Sequence, residues 1–178
     1  SVSLSADGST VAIGANGNDG NGSWSGHVRI YEYSGGSWVQ LGTDIDGEAA
    51  NDWLGYSVSI SADGSRVAIG APRHDSSIDA GHVRIYEYSG GSWAQFGCDI
   101  DGEAADDISG HAVSISADGS SVAIGAPNND GNGAASGQVR VFNLDSSVSS
   151  TDQVVACNSY TWIDGVTYSA STTSPQVT

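Results

Sequence analysis

Val58-Ser-Ile-Ser-Ala-Asp-Gly-Ser-Arg-Val-Ala-Ile-Gly70 decides the fold. Apolar and small residues alternate over Val58–Ser61, the period-two signature of a half-buried strand. Asp63-Gly64 then supplies the positive φ that a tight hairpin requires. Arg66–Gly70 resumes the alternation, large side chains on one face and small ones on the other. The motif is not unique. Val2–Gly8 and Val113–Gly119 repeat its first half almost letter for letter.

Working outward, Gly81-His-Val-Arg-Ile-Tyr86 has counterparts at Gly26–Tyr31 and Gly137–Phe142. Segments His27–Ala71 and His82–Ala126 differ at nine of 45 positions. An internal period of about 55 residues identifies a repeat architecture. Each unit is expected to hold four strands: A (Val58–Ser61), B (Arg66–Gly70), C (His82–Tyr88) and D (Trp93–Phe96). Turns Ala62–Ser65 and Ser89–Ser92 join A to B and C to D. In strand D, Val39 and Leu41 become Ala94 and Phe96, which suggests a conserved packed volume. One such unit cannot bury both faces alone, so units must stack. The expected fold is all-β, a partial β-propeller of about three four-stranded blades, the third stopping after strand C near Leu144.

Composition agrees. The 178 residues include 25 Gly, which suits short strands and tight turns better than helices. Residues 1–144 read as the repeat region and 145–153 as a polar linker. Residues 154–178 read as the start of a separate small β module, turning at Asp164-Gly165. There is no Met, and the chain is read as a piece of a longer protein. Cys98 and Cys157 fit no zinc pattern, and a disulfide between them is left open.

Twenty-one acidic residues face five Arg and no Lys, a formal charge of −16. That balance disfavours nucleic acid and anionic membrane surfaces and favours cations. No apolar run reaches the roughly 20 residues that membrane insertion needs. The acids cluster in the long B–C and D–A connections: Asp19, Asp44, Asp46, Glu48 and Asp52, then Asp75, Asp79, Asp99, Asp101, Glu103, Asp106 and Asp107. Strand alternation puts these connections on one rim, where binding residues commonly gather.

Within Asp44-x-Asp46-Gly-Glu48-x-x-x-Asp52, oxygen ligands fall at positions 1, 3, 5 and 9, and Asp99, Asp101, Glu103 and Asp107 repeat the spacing. Several hard oxygen donors suit Ca²⁺. The other reading is a solvated acidic loop that keeps strand edges from pairing with other chains. His27 and His82 share a strand C position filled by Gln138 in the third unit, and read as structural. His74 and His111 lack a partner arrangement that would mark a catalytic triad. Trp38 and Trp93 read as packing residues. Trp24 and Trp53 occur in one unit only, within the long loops. They either stack on a ligand such as a sugar ring or anchor a neighbouring unit.

The string Trp38-Val-Gln-Leu…Asp46-Gly-Glu-Ala-Ala-Asn-Asp52…Gly55-Tyr-Ser-Val58…Gly70-Ala-Pro72…Gly81-His-Val-Arg-Ile-Tyr86 resembles the FG-GAP repeat. The resemblance covers residues 1–144 three times over. It implies an integrin-α type propeller, secreted or at the cell surface, binding an extracellular protein or glycan, with neighbouring repeats of the same protein as further partners. Two departures stand out. The Phe-Gly position holds Leu54-Gly55 and Ser109-Gly110, and the family's Asp-rich calcium hairpin is reduced to Ala-Asp-Gly-Ser. Any calcium is therefore expected on the inter-unit loops. Cys157-Asn-Ser-Tyr-Thr-Trp162 resembles repeats of large secreted Bacteroidota proteins. The reading is a non-catalytic binding or adhesion module. The alternatives are a structural spacer and, from another class, a polysaccharide-active enzyme, which the near-identical acids of successive units disfavour because catalysis needs one asymmetric site.

Overall fold

The computed structural model describes residues 1–74 and 79–144, together with the backbone of 160–161 and 167–168. Among these residues there is no helix, and the strands form three antiparallel sheets. The first sheet contains β1 (Val2–Leu4), β2 (Thr10–Ala15), β3 (His27–Ser34), β4 (Ser37–Gln40) and β5 (Ile45–Asp46). The second repeats it as β6 (Ser57–Ile60), β7 (Arg66–Ala71), β8 (His82–Ser89), β9 (Ser92–Gln95) and β10 (Ile100–Asp101). The third holds β11 (Ala112–Ile115), β12 (Ser121–Ala126) and β13 (Gln138–Asn143).

Strands A to D fall where the alternation places them, within a residue or two. The linker expected over 145–153 and most of the segment after it lie outside the described residues, as does Cys157. Two short strands from that segment are described. β14 (Tyr160–Thr161) and β15 (Thr167–Tyr168) continue the third sheet beyond β13 through the pair Phe142↔Tyr160.

The strand D region is longer than the sequence suggests. β4 pairs with the second half of β3, from Tyr31↔Gln40 to Ser34↔Ser37. After an interruption at residues 41–44, β5 pairs with the first half of β3, through Val28↔Ile45 and His27↔Asp46. The register slips by two residues across the interruption, which acts as an extended bulge. β9 and β10 do the same along β8, ending on Asp101↔His82. The two-residue strands are fixed by burial of Ile45 and Ile100.

The sheets stack face to face. Ala12, Val28, Ile30 and Ile45 of the first sheet pack on Val58, Ile60, Val67, Ile69 and Ala71 of the second. Ala68, Val83, Ile85 and Ile100 then pack on Ile115, Val122 and Ile124 of the third. At each joint the large residues of β6–β7 or β11–β12 meet small residues of the previous unit's β2 or β7 (Ala12 or Ala68) and large ones of its β3 and β5 or β8 and β10, as dense packing requires. Polar contacts repeat with the joint. The Ile60 amide donates to Ser3 Oγ at 3.1 Å, and the Ile115 amide to Ser59 Oγ at 3.0 Å. Trp93 packs in the first joint and donates its indole N–H to the Leu41 carbonyl at 2.8 Å.

The outermost faces lack a partner sheet among the described residues. Val2, Leu4, Ile13 and Trp38 are exposed on one end, Val139 and Val141 on the other. Trp38 and Trp93 each lie against a tyrosine of the paired strand, Tyr33 at 5.4 Å and Tyr88 at 5.2 Å between ring centroids, but Trp93 also packs on the preceding unit, and no described sheet covers Trp38. Val39 and Ala94 both face solvent, so their exchange with Leu41 and Phe96 preserves no packed volume. Phe96 gains its own contact, the Arg66 guanidinium 4.1 Å from its ring centre.

The A–B hairpins carry their own electrostatics. Asp63 Oδ1 accepts from Ser61 Oγ at 2.6 Å, the Ser65 amide at 3.0 Å and Ser65 Oγ at 2.8 Å. Asp7 and Asp118 make equivalent sets. Hydrogen bonds to the ionised form hold all three carboxyls below the ordinary 3.8, Asp7 and Asp118 at about 2. The folded carboxyls therefore bind protons less tightly than the unfolded ones. Their contribution to stability is present above about pH 4 and is lost as pH falls towards about 2. Equilibrium unfolding across that window should show this loss, and the triple variant D7N/D63N/D118N should flatten it. An acid limb unchanged in the triple variant would rule the turns out as its source.

Candidate functional site

The long connections bring most of the acid to one rim, and the structure sorts those acids into three roles. Asp44 and Asp46 converge with His27, their ligand atoms within 4.8 Å of one another, and Asp99 and Asp101 converge likewise with His82. Either group could hold a metal ion. Glu48 and Glu103 do not join them. Glu48 reaches forward to Arg84 of the next unit (2.5 Å), and Glu103 to Arg140 (3.7 Å) and Gln138 Nε2 (3.0 Å). Asp52 and Asp107 are buried within the inter-unit connection. They accept the Ala49 and Ala104 amides at 2.8 and 3.0 Å, and Asp107 also accepts from Asn129 at 2.9 Å. Asp75 lies outside the described residues.

The convergence is a consequence of register. Asp101 stands directly opposite His82 on the neighbouring strand, as Asp46 does opposite His27. The bulge brings Asp99 back beside them, where Arg84 grips it: Nε donates to Oδ1 at 2.8 Å and Nη2 to Oδ2 at 2.6 Å. Gln95 Nε2 adds a third bond at 2.7 Å. The Arg84 hydrogen bonds are the main reason the Asp99 carboxyl lies below its usual range, against the opposing effect of burial. Burial works against the charge on Arg84, and Asp99 and Glu48 more than offset it. Arg29 grips Asp44 in the same fork, but its side chain is 44% exposed where that of Arg84 is 4% exposed. The difference is the first unit, whose Glu48 covers Arg84, while no described unit covers Arg29 in the same way.

His82 is fully buried, and neither ring nitrogen has a hydrogen-bond partner. Burial above all, with help from His74 and Arg84 and against Asp99, pushes its pKa down to about 3. The ring is neutral at neutral pH. His74 lies alongside, ring centroids 4.0 Å apart, with its Nδ1 3.3 Å from Asp52 Oδ1 but not in hydrogen-bonding alignment.

A line of aromatic rings crosses the same rim. Trp24 and Trp53 lie with centroids 5.6 Å apart, Trp53 and Tyr56 stack at 6.1 Å, and Tyr56 meets His111 at 5.0 Å. Tyr56 Oη and His111 Nε2 are 3.2 Å apart. Arg73 sits 4.7 Å from the Trp53 ring centre. Trp24 is 49% exposed, and His111 is exposed at the other end. The two tryptophans that the sequence singles out are thus neighbours.

Trp24 and Trp53 adopt φ of 57° and 59°, a left-handed conformation that bulky residues rarely hold. The corresponding positions in the later units are also left-handed: Asp79 and Ala135 for Trp24, Ile108 for Trp53. The scaffold sets the backbone there, whatever side chain it carries. Sequence reading passed over Tyr56 and weighed His111 only as a catalytic candidate, because the two occupy one repeat position and sequence gives no sign that adjacent repeats place them side by side. It also set the histidines apart from the acids. The available signal was the repeated Asp-Ile-Asp, whose central buried Ile marks a short strand opposite His27 and His82.

No protein-family model and no curated protein matches the chain. Among solved structures, it resembles Kuenenia stuttgartiensis hydrazine synthase at 14% identity and TM-score 0.47, over 80% of this chain and 31% of that one. It resembles the tricorn protease at 12% identity and TM-score 0.48, over 83% of this chain and 14% of that one. The chain thus spans under a third of either structure.

Proposed function

We propose that this chain is a non-catalytic, extracellular binding module, built from propeller blades of the FG-GAP type, that presents a ligand platform on its acidic rim. The observation that carries the reading is the aromatic line Trp24–Trp53–Tyr56–His111. Adjacent rings, exposed at Trp24 and His111 and half-buried at Trp53 and Tyr56, provide flat, rigid, amphipathic area at low entropic cost, suited to a sugar ring or an extended protein segment. Carboxylates beside the rings can accept hydrogen bonds from ligand hydroxyls or amides. Calcium or another divalent cation would moderate the −16 charge that otherwise repels acidic ligands.

The test is an array of glycans and extracellular-matrix proteins, probed with and without Ca²⁺. Binding that falls about tenfold on Trp24→Ala or Trp53→Ala, with unchanged circular dichroism, is the expected result. Failure to bind any glycan or matrix protein would instead favour a spacer that presents other domains.

A further inference from the structure

His82 stands apart from every other buried polar side chain on this rim. It is completely enclosed, both ring nitrogens lack partners, and carboxylate oxygens of Asp99 and Asp101 lie within 4.8 Å of a ring nitrogen. An unsatisfied buried polar group costs about 1–3 kcal/mol, and native proteins usually satisfy such groups with water or an ion. Nothing in the repeat itself demands an imidazole there, since Gln138 fills the same position of the third unit.

We propose that His82, Asp99 and Asp101 form a binding site for a divalent transition cation of the Zn²⁺ class. The three ligand atoms lie within 4.8 Å of one another, a spacing that a common ion can bridge with small side-chain adjustments at bond lengths of about 2.0–2.2 Å. Three protein ligands leave a fourth tetrahedral position for water. One imidazole nitrogen and two carboxylates form a borderline donor set. It suits zinc and its neighbours, whereas Ca²⁺ takes six to eight oxygens.

The surroundings fit a dication. Glu48, Asp99 and Asp101 bring three negative charges around the single positive charge of Arg84. Asp99 keeps lone-pair capacity beyond the bonds from Arg84 and Gln95, because a carboxylate offers about four acceptor sites. Asp101 is exposed and gives the ion a way in, while His82 closes the inner side. In the sibling group His27 is not fully enclosed, and no site is assigned there. The assignment is independent of which ligand the aromatic line binds.

Untagged protein, stripped with EDTA and dialysed, is titrated with Zn²⁺ and separately with Ca²⁺ by calorimetry, with thermal melts alongside. The expected result is one saturable Zn²⁺ equivalent and a raised Tm, neither reproduced by Ca²⁺. His82→Gln, which copies the natural Gln138, should weaken Zn²⁺ by more than the roughly 10–100-fold that a lost supporting contact costs. His27→Gln, His74→Gln and Cys98→Ser should leave it. No saturable Zn²⁺ binding, binding unchanged in His82→Gln, loss in any of the three control variants, or an equal response to Ca²⁺ would each overturn the proposal. A glycan array that fails while Zn²⁺ binds would sink the platform reading alone.

Discussion

Ile69→Ala should destabilise the protein by about 2–5 kcal/mol, the range for removing a large aliphatic side chain from a packed core. Ile69 has no exposed surface and sits between the first two sheets. Removing its outer methyl groups leaves a cavity in the core between the sheets, a cluster that also holds Ala12, Val28 and Ile30. Ile13 is its counterpart one repeat earlier, with the same strand position and the same neighbours in sequence. It is 42% exposed because no described sheet covers it. Ile13→Ala should therefore cost under about 1 kcal/mol. Urea unfolding of the two variants at several protein concentrations decides the matter. Equal losses would mean that the outer face of the first sheet is covered in solution, and a concentration-dependent midpoint would identify another molecule as the cover.

Gly81→Ala is expected to be at least as damaging, at about 3 kcal/mol or more. Gly81 has φ of +74°, where a Cβ costs about 1–2 kcal/mol on its own. An added Cβ would also overlap the Ser109 carbonyl oxygen and lie 2.7 Å from the Ser109 nitrogen. These are backbone atoms of the connection that crosses from the second sheet to the third. The Ser109 amide donates to the Ala80 carbonyl at 2.9 Å and the Gly102 amide to the Gly81 carbonyl at 2.7 Å, so the strain would open the joint. Gly137 provides the comparison. It has the same φ of +74°, but its nearest neighbour, the Pro127 carbonyl oxygen, would be 3.2 Å away. Gly137→Ala should show the conformational penalty and a small shift at Pro127, without a backbone overlap. Similar Tm losses for the two variants would show that close approach adds nothing to the cost.

The contrast between these pairs marks what the sequence could reveal. Strands and hairpins were legible because Val58–Gly70 states its own period and its own turn. Burial was not. Ile13 and Ile69 are the same letter in the same motif, and only stacking separates them. Trp38 and Trp93 diverge for the same reason. Linear spacing treats residues 44 to 52 as one loop. In the fold, a short strand takes Asp46, the next unit takes Glu48 and the turn takes Asp52. His82 could not be tied to Asp101 without the two-residue shift in register, which leaves no local mark in the sequence beyond the buried Ile100.

The left-handed rim positions separate two jobs that most loops combine. At one of them the three units carry Trp24, Asp79 and Ala135 on nearly the same backbone. Neighbouring strands and the crossing connection hold the geometry, so the residue itself is not needed to specify it. Such a position works as an exchangeable socket. Its occupant can change from aromatic to acidic to small while the frame stays put. A chain of near-identical units can then vary what it displays one socket at a time, and the single-copy tryptophans read as one setting of that display.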